Sequence, residues 1–168
     1  IRLALDLGFN GARLHQKVFE PRFLYWADRL GYLVWGEFPS WGLNHSHPAA
    51  LERVLAEWPA VLARDYSHPS IIGWCPFNET PADQNPELLR TVYRLTKALD
   101  PTRPCIDTSG YVHVETDMWD VHDYAHDTGP EAFVARYAAF AAGGEPWRNR
   151  PEREPEWQGQ PYWVSEYG

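Results

Sequence analysis

Glu79 and Glu166 each stand just beyond a short apolar run, Ile71-Ile72-Gly73-Trp74-Cys75-Pro76-Phe77 for one and Tyr162-Trp163-Val164 for the other. Such runs are too short for helices and read as buried strands, so each carboxyl sits at a strand end. Two carboxyls flanking a sugar ring can divide the roles of acid and nucleophile, because environment sets their pKa values apart. Hydrogen-bonding or ionisable side chains recur at the same place after the other runs: Arg13 and His15, Glu37, Asn78 beside Glu79, Asp107, and His122 with Tyr124. An isolated Glu is usually a solvated loop residue; repetition at successive strand ends is what singles these out. Glu37 has two readings, a cleft residue or a salt-bridge partner of Arg13.

Other chemistries find less support. The stretch His122-Asp123-Tyr124-Ala125-His126-Asp127 invites a metal site. It lacks the Glu beside the first His of a zinc-protease helix, so no metal is expected. His45 and His47 read as solvated or helix-capping. No Gly-x-Ser-x-Gly elbow occurs, which removes the Ser-His-Asp hydrolases of that type. No Gly-rich phosphate loop follows a strand, so no nucleotide cofactor is expected. Cys75 and Cys105 lie in apolar runs without metal-ligand spacing and read as buried thiols. Among the tryptophans near the strands, Trp35 and Trp74 read as core, whereas Trp41 is placed to stack on a sugar face.

These residues need elements to position them. Ile1 to Leu7 reads as the end of a helix stopped by Gly8, and Phe9 to His15 as a short strand. Pro21 opens a helix that Gly31 ends. Tyr32 to Trp35 is the next strand. Pro48 begins a helix in which Pro59 should impose a kink or a split. Asn85-Pro86 makes a cap and first turn for a helix through Leu99. Pro104-Cys105-Ile106 and Met118 to Val121 read as strands, and Pro130 starts a helix bearing Phe133, Tyr137 and Phe140. The segment from Gly144 to Gly159, rich in Pro, Glu and Arg, reads as a surface loop or insertion. Six strands interspersed with helices imply a parallel sheet covered by helices, of which the eight-stranded α/β barrel is one common form.

The 168 residues carry 15 basic against 23 acidic side chains, a net charge of −8, which argues against a nucleic-acid partner. Apolar residues at 44% and charged residues at 23% exclude disorder, and no apolar stretch is long enough for a membrane-spanning helix. A complete barrel needs about 250 residues and eight strands. The chain is short on both counts and starts at Ile1 without a Met, so a piece of something longer is expected.

Several motifs, in order, resemble the catalytic barrel of glycoside hydrolase family 2. They are Gly8-Phe9-Asn10-Gly11-Ala12-Arg13, Ala27-Asp28-Arg29-Leu30-Gly31, Glu37-Phe38-Pro39-Ser40-Trp41-Gly42, Arg64-Asp65-Tyr66-Ser67-His68-Pro69-Ser70-Ile71-Ile72-Gly73-Trp74, Phe77-Asn78-Glu79, Asp100-Pro101-Thr102-Arg103-Pro104 and Ser165-Glu166-Tyr167-Gly168. The family includes β-galactosidases, β-glucuronidases and β-mannosidases. The resemblance implies an α/β fold, a partial (β/α)8 TIM barrel holding strands 2 to 7 of eight. Residues 1–168 would then be an incomplete catalytic barrel, with 144–159 having no family counterpart. The other strands and the family's β-sandwich domains would belong to the remaining parent chain.

The resemblance further implies that Glu79 is the general acid/base and Glu166 the nucleophile of a retaining β-glycosidase. Asn78 would bind the sugar 2-hydroxyl, Tyr124 would hydrogen-bond to the nucleophile, and Arg13 would lie near it. Glu37, His15, Trp41 and His122 complete the expected substrate-binding set. Many members carry Arg-x-x-His after the second strand, where this chain has Arg13-Leu14-His15. The expected partner is a carbohydrate β-glycoside, with no cofactor, metal, nucleic acid or membrane, and the isolated piece is expected to be inactive. Two other readings are a non-catalytic carbohydrate-binding module, against which the parallel pattern counts, and a metal-dependent hydrolase built on His122, Asp123 and His126.

Overall fold

A computed structural model describes residues 1–124 and 129–167. The elements alternate as anticipated: α1 (Arg2–Asp6), β1 (Gly11–Arg13), α2 (Pro21–Leu30), β2 (Leu33–Glu37), α3 (Ala49–Asp65), β3 (Ile71–Cys75), α4 (Pro86–Leu99), β4 (Trp119–Asp123), α5 (Gly129–Ala141) and β5 (Tyr162–Tyr167). β1, β2 and β3 form one parallel sheet in that order, and β4 pairs in parallel with β5. Local signals place the helix ends. Pro21 is the first residue of α2 and Gly31 closes it at φ 67, while the Asn85 side chain accepts from Glu87 N at the start of α4.

The helices cover one face of the first sheet. Val54, Trp58 and Leu62 of α3 and Leu89 and Val92 of α4 are at most 1% exposed, packed in a core that also holds Val34, Trp74 and Phe77. Trp58 Nε1 donates to Thr96 Oγ1 (2.8 Å), tying α3 to α4. On the opposite face, Trp35, Cys75 and Ile106 form a second cluster joined by Met118 and Trp163. The rings of Trp35 and Trp163 lie 5.1 Å apart, so the two sheets face each other across this interior. Two glycines make the packing possible. A Cβ on Gly73 would sit 2.3 Å from the Trp35 ring, and one on Gly36 would sit 2.6 Å from the Trp74 ring.

Three expectations need correction. Pro104-Cys105-Ile106 is not a full strand: it meets β3 only through the isolated bridge of Trp74 with Cys105. Its other edge is already occupied, because Cys105 N donates to Asp117 Oδ2 (2.8 Å) and Cys105 O accepts from Asp117 N (3.0 Å). That leaves no free main chain there for β4. Of the two outcomes expected at Pro59, the split does not occur, since α3 runs unbroken from Ala49 to Asp65. The carbonyl that Pro59 cannot bond belongs to Leu55, a residue on the exposed side of the helix (41%), while buried Val54, Trp58 and Leu62 hold the helix down. His45 is buried rather than solvated, set edge-on to Phe77, and burial pushes its imidazole pKa down. His47 does cap α3, its Nδ1 accepting from Ala49 N at 3.1 Å. Among the described residues no helix is long and apolar enough to cross a membrane.

Candidate active site

Eight of the nine side chains singled out at expected strand ends lie on or just beyond the C-terminal ends of β1 to β5, and the structure brings these eight into one contiguous network. Arg13 ends β1 and is its hub. Nε donates to Glu37 Oε2 (2.5 Å), Nη2 to Glu37 Oε1 (3.1 Å), and Nη1 to Glu166 Oε1 (2.5 Å). Nη2 also donates to Asn78 Oδ1. The planar guanidinium fork is what allows one cation to orient three acceptors in fixed directions. Burial opposes its charge, but Glu37 and Glu166 outweigh that and push the Arg13 pKa further up. Glu37, 2% exposed at the end of β2, is the salt-bridge partner of Arg13, and it also accepts from Gln16 N at 2.9 Å. His15 lies beside them, its Nδ1 3.1 Å from Arg13 Nη2 and 3.7 Å from Glu166 Oε1.

Asn78 and Glu79 follow β3. Asn78 is fully buried, and its Nδ2 has no partner among the described residues. Glu79 sits at φ 47, a left-handed backbone uncommon outside glycine. Holding a non-glycine residue there costs about 1–3 kcal/mol, a cost met by the surrounding structure. Here Glu79 N donates to Ser109 O (2.9 Å). Glu79 Oε1 lies 2.9 Å from His122 Nδ1 and 3.1 Å from the Tyr124 hydroxyl.

Glu166, on β5, accepts from Arg13 at one oxygen and from the Tyr124 hydroxyl at the other. Burial alone would raise the Glu166 pKa, but Tyr124, His122 and Arg13 overcome it and hold the carboxyl below its ordinary value. Burial, and then Glu166, push the Tyr124 phenol well above its usual range, so it remains a donor. A carboxylate oxygen of Glu79, one of Glu166 and a His122 nitrogen all lie within 4.8 Å of one another. These three could by type ligate a cation, yet the Arg13 guanidinium already occupies Glu166 Oε1. Of the metal set suggested by the sequence, Asp123 turns to Tyr137 Oη (3.0 Å) and Arg136, and His126 lies outside the described residues.

Trp41 stands at the rim, 64% exposed and edge-on to His15 with ring centroids 5.6 Å apart. Trp35, Trp74 and Trp119 are core, each at most 4% exposed. Asp107 does not enter the cleft. It binds His113 Nδ1 (2.6 Å) and caps the main chain of Val114 (2.6 Å) and Glu115 (3.0 Å).

Four residues of the network went unread in the sequence. Ser109 donates to buried Asp120 Oδ2 (2.6 Å) and lies 3.0 Å from His122 Nε2, backing the imidazole that touches Glu79. Tyr111, at φ 60, follows Gly110 and stacks near His122 with centroids 6.1 Å apart. Asn149, from the irregular segment after α5, bonds the main chain of both Tyr111 and His122. The Ser-Gly-Tyr turn is a visible signal for the first and third of these. Asp120 is hidden within a strand run, and nothing local marks Asn149.

A family model described as "Glycosyl hydrolases family 2, TIM barrel domain" matches residues 1–168. Among curated proteins, the chain is 31% identical over 139 residues to a beta-glucuronidase of Rattus norvegicus, covering 71% of this chain and 21% of that protein. It is 29% identical over 130 residues to a beta-galactosidase of Thermoanaerobacterium thermosulfurigenes, covering 73% and 17%. Among solved structures, it superposes on a GH2 beta-galacturonidase from Eisenbergiella tayi bound to galacturonate with a TM-score of 0.74 at 26% identity. That superposition covers 99% of this chain and 30% of the other. The chain thus spans about a fifth of the curated relatives' length. With the family model matched from the first residue to the last and parallel strands ending at a shared cleft, the chain belongs to glycosyl hydrolase family 2, as a partial (β/α)8 barrel of its TIM barrel domain.

Proposed function

We propose that the protein cleaves a terminal β-linked sugar with retention of configuration, Glu79 acting as acid/base and Glu166 as nucleophile. The observation that carries this reading is the spacing of the two carboxylates, whose oxygens approach within 4.8 Å. Retaining glycosidases hold their carboxyl groups about 5–5.5 Å apart, whereas inverting ones leave about 6.5–9.5 Å for a water. In the first step Glu166 attacks the anomeric carbon as the glycosidic C–O bond breaks, and Glu79 gives its proton to the departing oxygen. In the second, Glu79 takes a proton from water, whose oxygen displaces Glu166 from the same carbon. Two inversions leave the original configuration.

The surrounding groups support these roles. Arg13 and Tyr124 keep Glu166 ionised and fix its orientation. The Asn78 amide NH2, at the same strand end as Glu79, has no hydrogen-bond partner among the described residues and is the donor assigned to a sugar hydroxyl. Trp41 offers an exposed indole at the rim, suited to the apolar face of a sugar. The named relatives act on β-glucuronides, β-galactosides and β-galacturonides, so a β-hexoside or β-hexuronide is the substrate class. Activity is assigned to the intact protein carrying this chain, because β1 and β5 each have one edge without a strand partner among the described residues.

The test is hydrolysis by that intact protein of p-nitrophenyl β-galactoside, β-glucuronide, β-mannoside and β-glucoside, with the product anomer followed by NMR. The expected result is turnover of at least one, release of the β-anomer first, and loss of turnover in Glu166→Gln. Release of the α-anomer, or near-normal turnover by Glu166→Gln, overturns the reading. Sugar binding without hydrolysis that survives loss of Glu79 and Glu166 favours the binding-module alternative.

A further inference from the structure

The two sheets are not joined by a strand ladder between Ser109–Tyr111 and β4. The Asn149 side chain spans that gap. Its Nδ2 donates to His122 O (2.8 Å), and its Oδ1 accepts from His122 N (3.0 Å) and from Tyr111 N (3.2 Å). A primary amide carries a donor and an acceptor side by side, so it meets both main-chain groups of one residue as a neighbouring strand would. Three contacts from one short side chain therefore fix the strand end carrying His122 and the turn carrying Tyr111.

What lies beyond these contacts is the acid/base. His122 Nδ1 is 2.9 Å from Glu79 Oε1. The ring sits in a closed slot: a Cβ on Gly110 would lie 2.6 Å from His122 Cγ, and Ser109 Oγ stands 3.0 Å from Nε2. With the ring confined, a shift of the His122 main chain moves the imidazole against Glu79. Asn149 itself is delivered on a secured segment. Trp147 O accepts from the Tyr162 hydroxyl (2.7 Å), and the Arg136 guanidinium lies 4.4 Å from the centre of the Trp147 ring.

We infer that Asn149 is a positioning residue, acting through His122 to hold Glu79 for proton transfer to the leaving oxygen. This rests on the assignment of Glu79 as acid/base. It gives the 144–159 segment a task at the cleft, although that segment has no counterpart among the family motifs read from the sequence.

The test uses the intact protein and two aryl β-glycosides of whichever sugar it hydrolyses, one with a dinitrophenyl and one with a phenyl leaving group. Dinitrophenolate departs with little help from an acid, while phenolate needs the proton, and general acid catalysis of this kind contributes about 10²–10⁴-fold. Asn149→Ala is expected to lower kcat/KM about 10- to 100-fold on the phenyl glycoside and less than about 3-fold on the dinitrophenyl one. The alkaline limb of the phenyl pH profile should move as well. Asn149→Asp keeps both acceptor contacts but turns a carboxylate toward His122 O. It should show the same selectivity and serves if the alanine variant does not fold. In a His122→Ala background the selectivity should vanish, because the residue it acts through is gone.

Equal losses on both substrates with unmoved pH limbs would reduce Asn149 to a structural part and overturn the inference, as would no loss at all. Glu79→Gln separates the two levels of the claim. If it shows no leaving-group selectivity, the acid/base assignment fails. If it does and Asn149→Ala does not, the positioning role alone fails.

Discussion

The Tyr124 hydroxyl donates to Glu166 Oε2, and the same oxygen lies 3.1 Å from Glu79 Oε1, so one phenol spans both carboxylates. In the proposed roles Glu166 must be ionised to attack, and like charges this close resist double ionisation. Arg13 reaches Glu166 and not Glu79 among the described contacts, whereas His122 faces both, its Nδ1 2.9 Å from Glu79 Oε1 and its Nε2 3.5 Å from Glu166 Oε1.

Tyr124→Phe should therefore raise the Glu166 pKa. That pKa is depressed in the folded protein, so its ionised form is lost as pH falls through it, and the acid limb of kcat/KM should move to higher pH. Removing a hydrogen bond to a charged group costs about 1.5–3 kcal/mol, or roughly 10- to 150-fold in rate if it is made in the transition state. A pH–rate profile with an unmoved acid limb would refute the role given to Tyr124.

Arg13→Lys should separate stability from chemistry. Lysine keeps a cation near Glu37, whose side chain is fully buried, but one ammonium cannot meet Glu37, Asn78 and Glu166 in the directions the fork does. Most of the thermal stability should remain while kcat falls at least about 10-fold. Arg13→Met, leaving Glu37 buried and unpaired, should cost about 3–5 kcal/mol, visible as a much larger fall in Tm. A lysine variant with wild-type kcat would show that charge alone suffices.

The contrast between what could and could not be read in the sequence follows from how far each signal reaches along the chain. Strand ends at Arg13, Glu37, Glu79 and Glu166 were legible because a buried parallel strand is a short apolar run and the next polar residue is its C-terminal end. The helix caps at Asn85 and Gly31 were legible for the same local reason. The loss of the strand at Cys105 was not, because the competing partner, Asp117, lies 12 residues away in an irregular stretch. Which of the two outcomes Pro59 gives was not legible either, because its effect depends on whether the orphaned carbonyl meets water, a tertiary property. Asn149 lies 27 residues from His122 and reaches it by a side-chain contact with no periodic trace.

Gly73→Ala tests the packing of the interior. The added methyl would meet three Trp35 ring atoms at 2.3–2.6 Å, and that ring is already packed against Trp163, tilted to it with centroids 5.1 Å apart. Overpacking of this kind costs about 1–3 kcal/mol and more where nothing can yield. A fall in denaturation midpoint at the upper end of that range is expected. A variant as stable as wild type would mean that the Trp35 ring moves freely, contrary to the packing described.

Glu154 is only 9% exposed, and neither carboxyl oxygen has a hydrogen-bond partner among the described residues. Burial pushes its pKa from 4.5 up to about 7, against the opposing pull of His113 and Arg148. The charged groups facing it are His113, which burial would lower but Asp107 holds at about 9, and Arg148 on its own segment. A carboxyl whose folded pKa is raised destabilises the fold once ionised, so its penalty is absent below about pH 4.5 and complete above about pH 7. His113 has the opposite dependence: its contribution is present below about pH 6.5 and is lost as pH rises through about 9. Deprotonation of His113 also removes the cation that partly offsets the Glu154 charge. Glu154→Gln should thus match wild-type Tm near pH 4.5, exceed it at pH 7, and exceed it further near pH 9. Thermal unfolding of the pair across that range decides the matter. A variant that loses stability relative to wild type as pH rises would mean that the Glu154 carboxylate stabilises the fold, with a favourable contact to His113 or Arg148 outweighing its burial.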